Sequence, residues 1–321
     1  SEGSLLMPDR IHVFSKFNDR VVGPLAENFP GAEIVRLDDD AAFVAGLPEA
    51  EFLMALKPPR GHWAKAGKLR LLQSFGAGID HLMPLDGLRR ETVVCNAAGL
   101  AAGTMGEFAL TLTLMLIKRM DWANTGHRAS TWRQFMPGTA AGSTIGILGL
   151  GRIGESFAQK AGALGMRVIG TQRQPRDVPG VDKVVGADRT AEIVAESDVV
   201  VCILPLTDET RYVLDEPMMR RMKPGASLIN LGRGGLVDEP ALIRLLQEGH
   251  LSGAALDVFE QEPLPSDNPL WTAPNLIITP HVAGGFPDYM GGISRLFAEN
   301  VRAFEAGEPM KTHVKDPGRG Y

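Results

Sequence analysis

Gly149, Gly151 and Gly154 stand in the spacing G-x-G-x-x-G. They directly follow the apolar run 145–148 and precede a stretch, 155–164, that sets Phe157, Ala161 and Leu164 at helical spacing; the next apolar run then reaches Ile169. A glycine spacing alone is a weak signal in a chain with 37 glycines. Framed by strand and helix it describes a β-α-β unit. Here the first glycine permits a tight turn, the second lets backbone approach a pyrophosphate, and the third lets helix pack on strand. The helix N-terminus then offers amide groups and the positive end of a dipole to phosphates. A dinucleotide site is expected at this turn.

The rest of the chain shows the same alternation. Strand-length apolar runs lie at 11–14, 34–37, 52–56, 69–75 and 92–95, and again at 145–149, 167–170, 199–204, 227–231, 254–258 and 276–279. Helix-compatible or turn-rich stretches separate them, and several of the later runs are apolar throughout, as expected for parallel strands covered on both faces. A helical stretch begins near Thr104, carries Phe108, Leu112, Met115 and Ile117, and ends among Lys118 and Arg119. Its most apolar part, 110–117, is too short to cross a bilayer and reads as a buried helix. Residues 126–142, with Trp132, Phe135 and Pro137, read either as a surface loop or as a contact with another subunit. A closing helix is expected over 293–304, followed by a polar tail.

A length of 321 residues suggests about two compact units. A formal net charge of −5 supplies no basic surface for a phosphate backbone, so nucleic acid is not expected as the main partner. The two cysteines, Cys95 and Cys202, lie in apolar runs and read as buried core residues in a reducing compartment. They are too few for an all-thiolate zinc site, and no metal is expected. Residues 1–10 lack the basic start and apolar stretch of a signal peptide, so a cytoplasmic protein is expected, with no membrane partner.

The end of the second strand of the β-α-β unit bears on the choice of cofactor. An acidic residue there would accept hydrogen bonds from the ribose hydroxyls of NAD, but the chain reads Thr171-Gln172-Arg173, with Arg176 close behind. A guanidinium fork suits a 2′-phosphate, which favours NADP(H) over NAD(H).

In open α/β sheets ligands bind beyond the carboxyl ends of the strands. After the 199 run come Pro205 and Leu206; after the 227 run, Gly232-Arg233-Gly234; after the 254 run, Asp257 and then Glu262; after the 276 run, Pro280-His281. Reduction of a 2-oxo acid needs a cation for the carboxylate and a proton donor for the carbonyl oxygen. The planar fork of Arg233 meets the first need. His281 meets the second, with Glu262 as the neighbour that stabilises an imidazolium. Each residue alone also has an ordinary structural explanation; their joint placement at strand ends beside the glycine turn is what points to chemistry.

These stretches carry a resemblance over nearly the whole chain. Gly149-Leu150-Gly151-Arg152-Ile153-Gly154, Pro205-Leu206-Thr207 with Glu209-Thr210, Met222-Lys223-Pro224-Gly225, the segment 230–238, Leu256-Asp257-Val258-Phe259 with Glu262-Pro263, and Thr279-Pro280-His281 together resemble the D-isomer-specific 2-hydroxyacid dehydrogenases. The resemblance implies two Rossmann/flavodoxin-like parallel-sheet α/β domains: a discontinuous substrate domain, 1–98 with 287–321, and a continuous nucleotide-binding domain, 99–286. It implies Arg233, Glu262 and His281 as the catalytic residues, and Asp257 as a residue that helps hold the nicotinamide end. Cofactor contacts are expected from Gly149, Gly151, Arg152, Ile153 and Gly154 in the glycine turn. Further ones are expected from Gln172, Arg173, Leu204, Pro205, Thr210, Leu231, Gly232, His281 and Gly284 at the strand ends. Backbone amides of Ala77 and Gly78 are expected on the substrate carboxylate, with Leu56 on the pocket wall. The resemblance also implies a homodimer through the nucleotide domain.

Gln172 departs from the Asp usual in NAD-preferring members, and Thr-Gln-Arg is similar to the arrangement in NADPH-preferring glyoxylate and hydroxypyruvate reductases, the subgroup expected here. Formate dehydrogenases need no proton donor and fit Glu262 with His281 less well. Phosphite dehydrogenase of the same fold and a dinucleotide-sensing corepressor stay open as alternatives.

Overall fold

In the computed structural model, residues 7–132 and 134–316 are described. The chain divides into two units, Ser1–Leu100 with Phe286–Tyr321, and Ala101–Gly285. Both ends of the polar tail and N-terminal segment, 1–6 and 317–321, lie outside the described residues.

The first unit is a five-stranded parallel sheet in the order β2-β1-β3-β4-β5. Its strands are β1 (Arg10–Phe14), β2 (Glu33–Leu37), β3 (Phe52–Ala55), β4 (Leu71–Ser74) and β5 (Val93–Cys95), with helices α1 (Asn18–Asn28) and α2 (Asp40–Gly46) between them. β3 and β4 are buried at every position, as a strand covered on both faces requires. On one face Val21 and Leu25 of α1 and Phe29 just after it share a core with Ile293, Phe297 and Val301 of the late helix α9 (Tyr289–Glu305). The opposite face is filled by Phe43, Leu47 and Trp63. Because α9 supplies Ile293, Phe297, Ala298 and Val301 to this core, the N-terminal sheet covers that face only with a late segment of the chain. A buried polar tie fixes the same join: Asn300 Nδ2 donates to Gln73 Oε1 at 2.9 Å and to Thr312 Oγ1 at 2.8 Å.

The second unit is a seven-stranded parallel sheet in the order β12-β11-β10-β9-β6-β7-β8. The strands are β6 (Thr144–Leu148), β7 (Arg167–Thr171), β8 (Lys183–Val185), β9 (Val199–Cys202), β10 (Ser227–Asn230), β11 (Gly253–Leu256) and β12 (Leu276–Ile278). Helices α3 (Ala102–Ile117), α4 (Met120–Arg128), α5 (Arg152–Ala163), α6 (Thr190–Glu196), α7 (Glu216–Met219) and α8 (Glu239–Gln247) accompany them. The strand order reverses at β6, whose neighbours are β9 and β7, and this is where an open sheet of this type leaves a crevice.

Three local expectations change. The segment 110–117 is helical but only half covered. α3 buries Gly106, Ala109, Leu112, Thr113 and Leu116, while Leu110, Leu114, Met115 and Ile117 stay partly exposed. The helix carries Glu107 and Thr111 on its exposed face, and α5, α4, β10 and β11 pack against it. The stretch expected to be loose from 126 begins inside α4, which Arg119 separates from α3 by adopting a left-handed backbone, φ 55°. The edge strand β8 has only three residues, too few to leave a readable period. Cys95 and Cys202 are buried and unpaired, and burial pushes both thiols up to about 12. Among the described residues no helix is long and apolar enough to cross a membrane.

Candidate active site

The glycine turn is built as its spacing demands. Gly149 has φ 104°, in the left-handed region, and a Cβ there would stand 3.0 Å from the Ile203 carbonyl oxygen. Gly154 is closed: its Cβ would lie 2.5 Å from the Gly149 oxygen and 3.3 Å from Ile147 Cγ2, so α5 packs directly on the turn and β6. Gly151, the N-cap of α5, is the opposite case, with nothing within 4 Å of its Cβ position. Open space in front of a helix N-terminus, bounded by first-turn residues Arg152 and Ile153, is what an anionic pyrophosphate requires, and the residues present fit a dinucleotide.

The end of β7 holds this turn from behind. Gly149 N donates to Thr171 Oγ1 at 3.3 Å, Leu150 N donates to the Thr171 carbonyl at 2.8 Å, and Gln172 Nε2 donates to the Leu150 carbonyl at 2.7 Å. Gln172 Oε1 is buried without a hydrogen-bond partner. Arg173 is exposed beside it, whereas Arg176 is ion-paired with Glu155 on α5. On the other side Leu204 Cδ2 would be 3.2 Å from a Gly149 Cβ, and a Gly232 Cβ would be 2.5 Å from the Leu204 oxygen, so the ends of β9 and β10 converge on the turn. Leu231 is buried; Thr210 Oγ1 donates to the Pro205 carbonyl at 2.7 Å, and Gly284 lies against Ala101 and Met105.

The three candidate catalytic side chains sit on the loops after β10, β11 and β12. Asn230, wholly buried at the end of β10, shapes the first loop: its Oδ1 accepts from Gly232 N at 3.1 Å and its Nδ2 donates to the Arg233 carbonyl at 2.9 Å. Arg233 is half-buried, with NH1 donating to the Gly232 carbonyl at 2.8 Å. Gly234 brings this loop against the next one. A Cβ on it would fall 1.9 Å from the Phe259 carbonyl carbon, so only a bare Cα fits.

Glu262 is fixed at both oxygens. Oε1 accepts from Phe259 N at 3.1 Å, and Oε2 lies 2.7 Å from His281 Nδ1. The imidazole is thus oriented by a carboxylate at Nδ1, while Nε2 lies on the opposite edge of the ring. The His281 side chain is 49% exposed and that of Glu262 28%, so the couple is reachable from solvent. His281 itself has φ 53°, an unusual backbone for a non-glycine residue, and Asp257 supports it. The Asp257 carboxylate accepts from Thr279 Oγ1 at 2.6 Å, Val282 N at 2.9 Å and Ala283 N at 3.0 Å, and its carbonyl accepts from His281 N at 2.8 Å. At 1% exposure, Asp257 is engaged with the His281 turn.

A family model described as D-isomer specific 2-hydroxyacid dehydrogenase, NAD binding domain, matches residues 110–283, more than half of the chain. The chain belongs to the D-isomer specific 2-hydroxyacid dehydrogenase family. This dehydrogenase is therefore an oxidoreductase that uses a nicotinamide dinucleotide, and its second unit carries the family's cofactor-binding match. It is 35% identical over 251 residues to a glyoxylate reductase of Korarchaeum cryptofilum, covering 76% of this chain and 75% of that protein. Among solved structures it is similar to a D-isomer specific 2-hydroxyacid dehydrogenase of Xanthobacter autotrophicus in complex with NADPH and MES, at 32% identity and TM-score 0.87, covering 98% and 99% of the two chains. It is also similar to an NADPH-dependent glyoxylate/hydroxypyruvate reductase of Sinorhizobium meliloti in complex with NADP and sulfate, at 30% identity and TM-score 0.87, covering 98% and 100%.

The remaining candidate residues of the dehydrogenase lie in the first unit. Leu56 follows β3, its N–H donating to the Phe14 carbonyl at 2.9 Å. Ala77 and Gly78 follow β4 in a turn tied by Ser74, whose Oγ accepts from Gly76 N at 3.0 Å, and by Tyr289, whose hydroxyl donates to the Phe75 carbonyl at 2.5 Å. Ala77 is exposed. In the sequence, the supporting roles of Asn230 and Thr279 are marked only by a polar residue closing an otherwise apolar run.

Proposed function

We propose that this dehydrogenase reduces a small 2-oxo acid, of the glyoxylate or hydroxypyruvate class, to the D-2-hydroxy acid with NADPH as the favoured cofactor. The observation that carries the reading is the 2.7 Å pairing of His281 Nδ1 with Glu262 on the loop adjoining Arg233. Arg233 binds the substrate carboxylate through its planar fork. His281 gives a proton from Nε2 to the keto oxygen as it becomes an alkoxide, and Glu262 holds the ring in orientation through Nδ1. When bound, the cofactor supplies the hydride, and the glycine turn with Arg152 and Ile153 holds its pyrophosphate. Ala77 and Gly78 amides are assigned to the substrate carboxylate and Leu56 to the pocket wall.

The absence of an acidic side chain at the end of β7 supports NADPH, as do the NADPH and NADP complexes of similar structures. Arg173 is the residue proposed to meet the 2′-phosphate. A steady-state panel of glyoxylate, hydroxypyruvate, pyruvate and phenylpyruvate with each cofactor tests the assignment. Absence of oxidation of either reduced cofactor with all four acids would overturn it.

We further propose a homodimer through α3, α4 and the segment after them. Trp132 and Met136 are each 91% exposed, and the segment that carries them is tied to the end of α3 at Gly138, whose N–H donates to the Ile117 carbonyl at 2.9 Å. Sedimentation should find a dimer that Trp132→Arg with Met136→Arg converts to monomer; a monomeric wild type removes the proposal. The two unpaired thiols support a reducing, cytoplasmic setting, which cell fractionation checks.

A further inference from the structure

Glu239 opens α8 and is buried, at 7% exposure, among groups that the proposed chemistry does not use. The cap of α8 is Asp238, whose side chain accepts from Ala241 N, so Glu239 is not needed for that role. Its Oε1 instead accepts from the main-chain N–H of Glu260 at 2.8 Å. Glu260 follows Phe259, whose own N–H donates to Glu262, the partner of His281.

The peptide between Phe259 and Glu260 is therefore gripped from two directions. Gly234, next to Arg233, lies so close that an added Cβ would be 2.1 Å from the Phe259 oxygen and 2.2 Å from Glu260 N. Glu239 takes the hydrogen on the same nitrogen. A carboxylate is costly to bury, and burial pushes the Glu239 carboxyl up against the opposing pull of the Glu260 amide. Holding this peptide is the return for that cost.

We propose that Glu239 is a positioning residue for the Glu262–His281 couple, acting through the Glu260 amide on the loop that carries Glu262. The inference rests on the reading of Glu262 and His281 given above. Removing the acceptor leaves the part-buried Glu260 N–H without its carboxylate partner and frees the loop to shift, and small misplacements of a proton donor are expensive in rate.

Glu239→Ala should lower kcat with glyoxylate on the order of 10- to 100-fold while the Kd for NADPH changes less than about twofold. Glu239→Gln keeps an oxygen for the Glu260 amide and should restore kcat to within about threefold of wild type. In a His281→Ala background, Glu239→Ala should cost no further turnover, because the couple it serves is already gone. Unchanged kcat in Glu239→Ala, failure of Gln to rescue, or a full additional loss in the His281→Ala background would each overturn the proposal. If Glu239→Ala does not fold, hydrogen exchange of the Glu260 amide in the intact protein decides: protection supports the proposal, and free exchange sinks it. Wild-type turnover in His281→Ala alone would instead refute the assignment of His281, a result distinguishable from all of these.

Discussion

His281 Nδ1 and Glu262 Oε2 lie 2.7 Å apart, and the other oxygen of Glu262 is held by the Phe259 amide, so the carboxylate is oriented before it orients the imidazole. Glu262→Gln keeps the shape but removes the charge and forces an amide group onto one of the two partners. Turnover should fall on the order of 100-fold, the low end of the range attributed to acid–base groups, with NADPH binding intact. Steady-state kinetics beside a fluorescence titration of NADPH measures both; a loss confined to cofactor binding would contradict the role.

Arg233→Lys preserves a positive charge and discards the planar fork. Loss of one arm of a charge-assisted bidentate contact is worth about 1.5–3 kcal/mol, so kcat/KM for glyoxylate should drop about 10- to 100-fold. The cofactor Kd should not move. An unchanged KM and kcat for the oxo acid would remove Arg233 from the substrate.

Asp257 satisfies three donors with one buried carboxylate. Asp257→Ala would strand two main-chain N–H groups and a hydroxyl, each costing about 1–3 kcal/mol when left unpaired. The melting temperature should fall by at least several degrees, on the order of 2–4 °C per kcal/mol. Turnover should collapse with it, because the turn that sets His281 is no longer pinned. A calorimetric scan showing an unaltered transition would argue that the carboxylate has another task.

Gly151 and Gly154 should respond oppositely to the same methyl group. Gly154→Ala places a Cβ 2.5 Å from a backbone oxygen and should destabilise the second unit by about 1–3 kcal/mol, the usual range for overpacking. Gly151→Ala meets open space and should melt like the wild type, yet weaken cofactor binding by occupying the approach of the pyrophosphate. Equal melting temperatures for the two variants would show that the glycine turn is not packed as described.

Glu216 carries a carboxyl held below its ordinary value by Arg244 and then by Arg220. A depressed folded value means the stabilising contribution is present above the unfolded value, about 4.3, and disappears as pH falls through the lower folded one. Melting temperature should therefore drop between about pH 5 and about pH 3, and Glu216→Gln should flatten part of that drop. The pair is solvent-exposed, so added salt should shrink the difference.

Much of this protein was determined by sequence alone. Two parallel α/β sheets, the glycine turn after β6, and the placement of Arg233, Glu262 and His281 beyond strand ends all follow from short-range rules: apolar period, glycine spacing and the geometry of a strand's carboxyl end. Tertiary structure decided what those rules do not reach. It set how far α3 is covered: exposed Glu107 and Thr111 are marked by their polarity, but Leu110, Leu114, Met115 and Ile117, apolar like their buried neighbours, stay only partly covered. It made Asp257 the support of the His281 turn, Asn230 the clamp of the Arg233 loop and Glu239 the anchor of the Glu260 amide. Asp257 and Glu239 each depend on a main-chain donor from a different loop, and such pairings exist only once parallel strands far apart in the chain have been brought side by side.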